Sequence, residues 1–196
     1  MSAARYRSPA RPRGGRRVAS GRIELVRAVL ITGPPASGKT TVAKRLQRLL
    51  REPWLFFEVD RTQPRLPPFD ELLTIANERR MVAANLRAAR AYVDAGFNLL
   101  IEVDTAEEWR QQMVAEVFVG VEHGTVALTA ELTTIEMRAH ERATVDAAWA
   151  LEHARRRDWA AYSDLVERTD DRTPDDVASS LAAWIDGTPN AHARSR

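Results

Sequence analysis

Cysteine is absent from this chain, and lysine nearly so, with Lys39 and Lys44 the only two. The first absence excludes a disulfide framework and any thiolate metal site, and it fits a reducing or an oxidising compartment equally. The second means that arginine carries the positive charge, so a lysine at a particular position stands out. Long hydrophobic runs are missing as well. The longest, such as 54–57 and 117–121, fall far short of the roughly 18–20 apolar residues needed to span a bilayer. The arginines near the N-terminus are not followed by an apolar segment, which argues against a secretory signal and makes a cytoplasmic setting the expectation. The four histidines are dispersed, without the partner spacing of a metal or catalytic site.

What is present suits one folded domain. Hydrophobic residues make up 44% and charged residues 29% of 196, enough apolar surface to bury a core. The formal charge of +2 hides an uneven distribution. Residues 1–22 hold seven arginines (Arg5, Arg7, Arg11, Arg13, Arg16, Arg17, Arg22) and no acid, so 22 basic residues face all 27 acids in the remainder. The domain is therefore acidic, near −5. The tail, interleaved with Pro, Gly, Ser and Ala and lacking periodicity, is expected to be disordered and to touch nucleic acid only nonspecifically. A domain at 23–187 and a frayed end at 188–196 complete the expected organisation.

Short apolar runs alternate with longer amphipathic ones, the pattern of parallel strands joined by crossover helices, which predicts an α/β fold. Five strands are expected, at 28–32, 54–59, 98–103, 117–121 and 165–168. A first helix from Gly38 places Val42, Leu46, Leu49 and Leu50 on one face and stops before Pro53. A long helix over about 70–95 carries Ile75, Val82, Leu86, Ala89 and Val93 on a stripe closed by Gly96. Thr105 followed by Glu108 has the spacing of a capping box and predicts a short helix there. Thr173, Pro174 and Asp176 predict the start of a last helix with Val177, Leu181, Trp184 and Ile185 inward and Gly187 as its stop. Between 124 and 158 the signal is mixed. Residues 126–130 suit a strand or a helix start, and 134–157 read as helical and rich in arginine.

Chemistry concentrates at Gly33-Pro34-Pro35-Ala36-Ser37-Gly38-Lys39-Thr40, which fits G-x-x-x-x-G-K-[ST] at every fixed position. Consecutive backbone N–H groups curled around a polyphosphate supply donors without burying many charges, and glycines let the main chain come close. Pro34 and Pro35 have no N–H, so donors must come from Ala36, Ser37, Gly38, Lys39 and Thr40, with Thr41 next in the helix. Lys39 would reach the outer phosphates and the Thr40 hydroxyl would bind Mg²⁺, which implies ATP and magnesium. Such a match arises by chance in roughly one chain in a hundred of this length. Its setting between an apolar strand and an amphipathic helix is the one the mechanism needs.

A P-loop specifies a nucleotide rather than a reaction, so an activating group for an acceptor is needed. Asp60, at the end of the second strand, would lie across from Lys39 and could take a proton from an acceptor hydroxyl; the alternative is a turn residue before Pro64. Glu58 is the lesser candidate. The third strand closes on Glu102 and Asp104, either of which could serve magnesium, Asp104 alternatively capping the next helix. Arg138 and Arg142, four apart, share a face if helical, and suit a lid over about 124–158 that brings arginines to the transferring phosphates; a solvated surface is the other reading. Arg155, Arg156 and Arg157 read as a solvated helix end.

The segment Glu52-Pro53-Trp54-Leu55-Phe56-Phe57-Glu58-Val59-Asp60 after the P-loop helix resembles the chloramphenicol phosphotransferase family. So do Ala95-Gly96-Phe97 before a strand ending in acids, the run Val117-Phe118-Val119-Gly120-Val121, and Tyr162 before the last strand. The likeness extends over about 27–186. It implies a three-layer P-loop kinase fold of the nucleoside and shikimate kinase type with about five parallel strands and a helical lid, ATP as donor and Asp60 as base. After Asp60 the chain reads Arg61-Thr62-Gln63-Pro64-Arg65-Leu66-Pro67-Pro68, a departure from the family's substrate-side segment, so the acceptor implied is a small molecule bearing a hydroxyl, antibiotic-like or a metabolite. A P-loop ATPase or nucleotide switch without an acceptor is the competing class. A guanine-specific GTPase lacks its Asn-Lys-x-Asp element here. Nothing in the residues selects an oligomeric state.

Overall fold

In a computed structural model of the chain, residues 28–59, 74–142 and 145–187 are described. Five strands alternate with six helices: β1 (Ala28–Thr32), α1 (Lys39–Leu49), β2 (Trp54–Glu58), α2 (Ile75–Asp94), β3 (Asn98–Glu102), α3 (Glu108–Val117), β4 (His123–Thr129), α4 (Leu132–Glu141), α5 (Ala147–Arg156), β5 (Leu165–Arg168) and α6 (Pro174–Ile185). All strand pairings are parallel, in the order β2-β3-β1-β4-β5. The five-stranded parallel α/β sheet that the sequence implies is thus the sheet observed. No helix among the described residues is long and apolar enough to cross a membrane.

Alternation along β1 explains the layering. Val29 and Ile31 face α1 and α6, packing with Val42, Leu46, Val126, Leu128, Val177 and Leu181. Ala28 and Leu30 face the other way, into a cluster with Leu99, Ile101, Val82, Leu86, Val93 and Phe118 from β3, α2 and α3. With helices on both faces, the central strand has no solvent side, and all five of its residues are buried. Each Leu or Ile so buried contributes about 1.5–3 kcal/mol relative to exposure. On the α6 side the fit is tight. A Cβ on Gly124 of β4 would sit 2.5 Å from the Trp184 ring, so glycine is what lets this helix approach the sheet.

The β1, β5 and α6 boundaries match their sequence expectations. Thr173 caps α6 through the reciprocal bonds of a capping box with Asp176, Pro174 follows at the first helical position, and Gly187 closes the end at φ +68°. Elsewhere the structure corrects the sequence. The fourth strand is not 117–121. That run is the tail of α3: Val117 ends the helix, the Phe118 N–H donates to Val114 O, and Gly120 turns at φ +72°. Phe118 is buried while Val119 is exposed, so an apolar run served one side of a helix end. The strand is instead His123–Thr129, whose signal was masked by His123, Gly124 and Thr125. The supposed lid at 124–158 therefore begins later, after β4. The helix expected over 134–157 is two helices. Thr105 does not cap α3, which starts at Glu108 after Glu107. The Thr105 N–H donates to Thr32 Oγ1 at 3.1 Å and its carbonyl accepts from Gln111, so the residue ties the chain to β1 before the helix begins.

Candidate active site at the mouth of the sheet

The segment between β1 and α1 is held in backbone conformations that few residues adopt. Gly33 has φ +140° and Gly38 φ +97°. A Cβ on Gly33 would lie 2.1 Å from the Leu128 carbonyl of β4, so the loop leaves β1 pressed against a neighbouring strand. Ala36 sits at φ +62°, a left-handed geometry that costs a non-glycine residue about 1–2 kcal/mol. Its methyl packs with Ile135, Ala139 and Ala150 of α4 and α5, which offsets that strain and seats the helix pair on the loop. The loop is thus bent and closed on itself. Ser37 N–H donates to Pro34 O at 3.2 Å, so a residue unable to donate provides an acceptor instead. The first N–H groups of α1, through Thr40 and Thr41, have no acceptor within the helix, which makes its N-terminus suited to anions.

Lys39 folds back over the loop. Its Nζ donates to Gly33 O at 2.9 Å and Pro34 O at 3.0 Å, a posture in which the ammonium stands over the bend rather than in bulk solvent. Thr40 Oγ1 donates to Glu102 Oε2 at 2.7 Å, joining the P-loop to the end of β3. A hydroxyl and a carboxylate at that separation form the oxygen donor set that suits Mg²⁺, which takes one or two such ligands and fills its shell with phosphate oxygens and water. The described residues contain no cluster of three or more His, Asp or Glu side chains that could hold a metal by themselves. Ser37 Oγ is fully buried with no partner among the described residues.

The two acids at the end of β3 diverge. Glu102 stands with Thr40, whereas Asp104 accepts from the Ala106 N–H at 3.0 Å through one oxygen and from Arg157 through the other. Asp60 lies outside the described residues, two positions beyond the end of β2, whose Glu58 is in register with Glu102. The two predicted lid arginines separate as well. Arg138 donates to Thr169 Oγ1 at 2.9 Å and to Thr169 O at 2.6 Å, and Thr169 Oγ1 reaches Ser37 O at 3.0 Å, so this arginine is fixed one residue away from the P-loop. Arg142 is not on the same helical face. It is the extended C-cap of α4 (φ −104°, ψ 107°) and is exposed, because the helix ends at Glu141 and the four-residue spacing loses its meaning there.

Two residues escaped the sequence reading and a third was misread. Thr169 follows β5, and the end of a parallel strand on the ligand side is the signal that could have found it. Asp170 beside it accepts the Glu131 N–H at 2.7 Å, pinning the start of α4. Burial is the largest influence on its carboxyl and raises its pKa, but bonds from Glu131, Thr134 and Arg168 together take it below the ordinary value. Arg157, expected in a solvated cluster, is instead half-buried between Asp104 and Glu107. Burial lowers its pKa against the opposing charge of Glu78, and an arginine so placed stays cationic.

Comparison with known proteins agrees with this geometry. A family model described as chloramphenicol phosphotransferase-like protein matches residues 26–185. No curated protein sequence matches the chain. Among solved structures, an unliganded sugar kinase from Janibacter sp. HTCC2649 is 17% identical with a TM-score of 0.66, the match covering 82% of this chain and 95% of that one. A shikimate kinase from Acinetobacter baumannii, solved with shikimate, is 17% identical (TM-score 0.61, 83% and 94% covered). The APS kinase of Mycobacterium tuberculosis, in complex with AMPPNP and APS, is 19% identical (TM-score 0.60, 80% and 95% covered). At these identities the structural likeness establishes the fold, that of the P-loop kinases.

Proposed function

The chain belongs to the chloramphenicol phosphotransferase-like family, and from that premise we propose that it transfers the γ-phosphoryl group of ATP to a hydroxyl of a small molecule, antibiotic-like or a metabolite, in the cytoplasm. The observation that carries this reading is the convergence of Lys39, Thr40 and Glu102 at one mouth of the sheet, with Arg138 fixed beside the loop through Thr169. The solved complexes with AMPPNP and with shikimate are consistent with a nucleotide donor and a hydroxylated acceptor.

In the proposed reaction the first turn of α1, with Gly33, Pro34, Pro35, Ala36, Ser37 and Gly38, cradles the phosphates, and Lys39 turns from the loop carbonyls to the outer phosphate oxygens. Thr40 and Glu102 are the residues that would hold Mg²⁺, and the charge neutralisation it would supply falls on the transferring group. Asp60 accepts the proton of the acceptor hydroxyl as its oxygen bonds to the γ-phosphorus. The bond from that phosphorus to the bridging oxygen breaks, and ADP leaves with the electron pair. Arg138 stabilises the charge spread over the phosphoryl oxygens.

A mixture of metabolites and antibiotics incubated with ATP and magnesium, and read by mass spectrometry, tests this. The native protein should yield a product heavier by one phosphate, which Lys39→Ala and Asp60→Asn abolish. ADP release that no compound stimulates, and that Asp60→Asn leaves unchanged, would identify a nucleotide hydrolase or switch instead.

A further inference from the structure

The pair α4–α5 is attached to the body of the molecule at both ends. At its start, Glu131 is bound to Asp170 and Arg168, and Arg138 to Thr169. At its exit stands Arg157, the extended C-cap of α5 (φ −124°, ψ 131°). Its side chain is only 19% exposed; it contacts Asp104 Oδ2, reaches Glu107 Oε1 at 3.4 Å, and lies 5.7 Å from the ring centroid of the buried Trp159.

The carboxylates that receive it are themselves anchored. Asp104 Oδ1 accepts the Ala106 N–H, while Glu107 Oε2 accepts from Trp109 Nε1 at 2.8 Å and Arg110 Nε at 3.1 Å. Arg110, buried, continues to Glu78 in the first turn of α2. A line of charges thus runs from the exit of α5, over the end of β3 and the start of α3, to α2. An exposed ion pair contributes little. Here the acceptor oxygens are already oriented by other bonds and the guanidinium fork is rigid, so little freedom remains to be lost.

We propose that Arg157 is a positioning residue: by gripping Asp104 and Glu107 it holds the α4–α5 pair down on the P-loop and thereby keeps Arg138 at the phosphate site. Its role in transfer rests on the kinase reading above, whereas the tie itself does not. Asp104 then serves as the anchor of this tie, and Glu102 remains the acid on the magnesium side.

The test uses the full chain. Hydrogen exchange is measured over 132–156 without nucleotide, and the dissociation rate of a fluorescent, magnesium-bound AMPPNP is measured separately. Arg157→Met keeps the apolar stem and removes the charge; exchange in 132–156 should accelerate on the order of tenfold and nucleotide release by a similar factor. The β1 amides and the unfolding midpoint should stay at native values. Arg157→Lys, a single point charge, should fall between the two. Asp104→Asn retains the acceptor for Ala106; it should loosen 132–156 by less than Arg157→Met and add nothing in that background. Native exchange over 132–156 in Arg157→Met, multiplying effects in the double variant, or an equal loss of protection in β1 would each overturn the tie. If the probe does not bind native protein, the kinase reading fails and the exchange measurements alone decide the tie.

Discussion

The two sides of the site are secured by different physics. On the P-loop side, β1 is wholly buried, Gly33 is pressed against the Leu128 carbonyl, and Lys39 is tied to carbonyls five and six residues away. On the α4–α5 side, besides the packing on Ala36 and the Asp170–Glu131 bond, the attachments are arginine side chains reaching partners 31 and 53 residues distant, Arg138 to Thr169 and Arg157 to Asp104. Main-chain geometry cannot rearrange without breaking the fold. Side-chain hydrogen bonds and ion pairs can part and re-form, which suits a segment that must admit and release a nucleotide.

The largest effect expected from the contrast is chemical rather than structural. Lys39→Ala should reduce phosphoryl transfer on the order of 10²–10⁴-fold, since it removes the charge nearest the outer phosphates. Its unfolding temperature should stay close to that of the native chain, because the ammonium is bonded to carbonyls of its own loop and Lys39 is not among the core residues. An equally large fall in thermal stability would mean that the lysine is a structural clamp, and the contrast as drawn would fail.

Gly33→Ala comes next and acts through the backbone. A Cβ there meets the Leu128 carbonyl at 2.1 Å with φ at +140°, so β1 and β4 must separate or the loop must refold. A loss of about 2–4 kcal/mol is expected, measurable as a lower denaturant midpoint and accompanied by loss of nucleotide binding. The same substitution at Gly38, where φ is +97° but nothing lies within 4 Å, should cost only the conformational part, about 1 kcal/mol. If the two variants are equally stable, close packing is not what fixes the loop.

How far the sequence could be read follows the same divide. The P-loop was legible because its meaning lies in fixed local spacing, and β1, β5 and the α6 capping box were legible for the same reason. The fourth strand was misplaced because an apolar helix tail, Phe118 buried and Val119 exposed, imitates a strand, while the true strand carries Gly124 to admit Trp184. The bridge from Arg138 through Thr169 to Ser37 and the Asp104–Arg157 tie were not legible. Each consists of residues far apart in the chain, and no periodicity records which arginine meets which carboxylate.

On the α4–α5 side, Arg138 and Arg142 should separate sharply in kinetics. Arg138→Ala, which removes a guanidinium held at 2.9 and 2.6 Å by Thr169, is expected to lower kcat by about 10–100-fold. Arg142→Ala, at an exposed helix cap, should stay within about twofold of native. Equal losses would return Arg142 to the phosphate site and require 132–156 to close further when nucleotide binds.

The smallest effect belongs to an element that was fully legible, the capping box of α6, and it is small because the element is solvent-exposed. Asp176 accepts from the Thr173 hydroxyl at 2.6 Å and from the Thr173 N–H at 3.2 Å. The Thr173 side chain first, then its backbone, with the charge of Arg172 in support, hold the Asp176 pKa below the ordinary carboxylate value. A carboxyl depressed in the folded state stabilises the protein fully above its unfolded pKa, and that contribution fades as pH falls through the folded one. Asp176→Asn keeps an acceptor but loses the charge, so it should lower the unfolding temperature modestly at pH 7. The gap from native protein should shrink as pH falls from about 5 to about 2. A gap that persists unchanged in acid would show that the charge contributes nothing and that the bonds from Thr173 act through geometry alone.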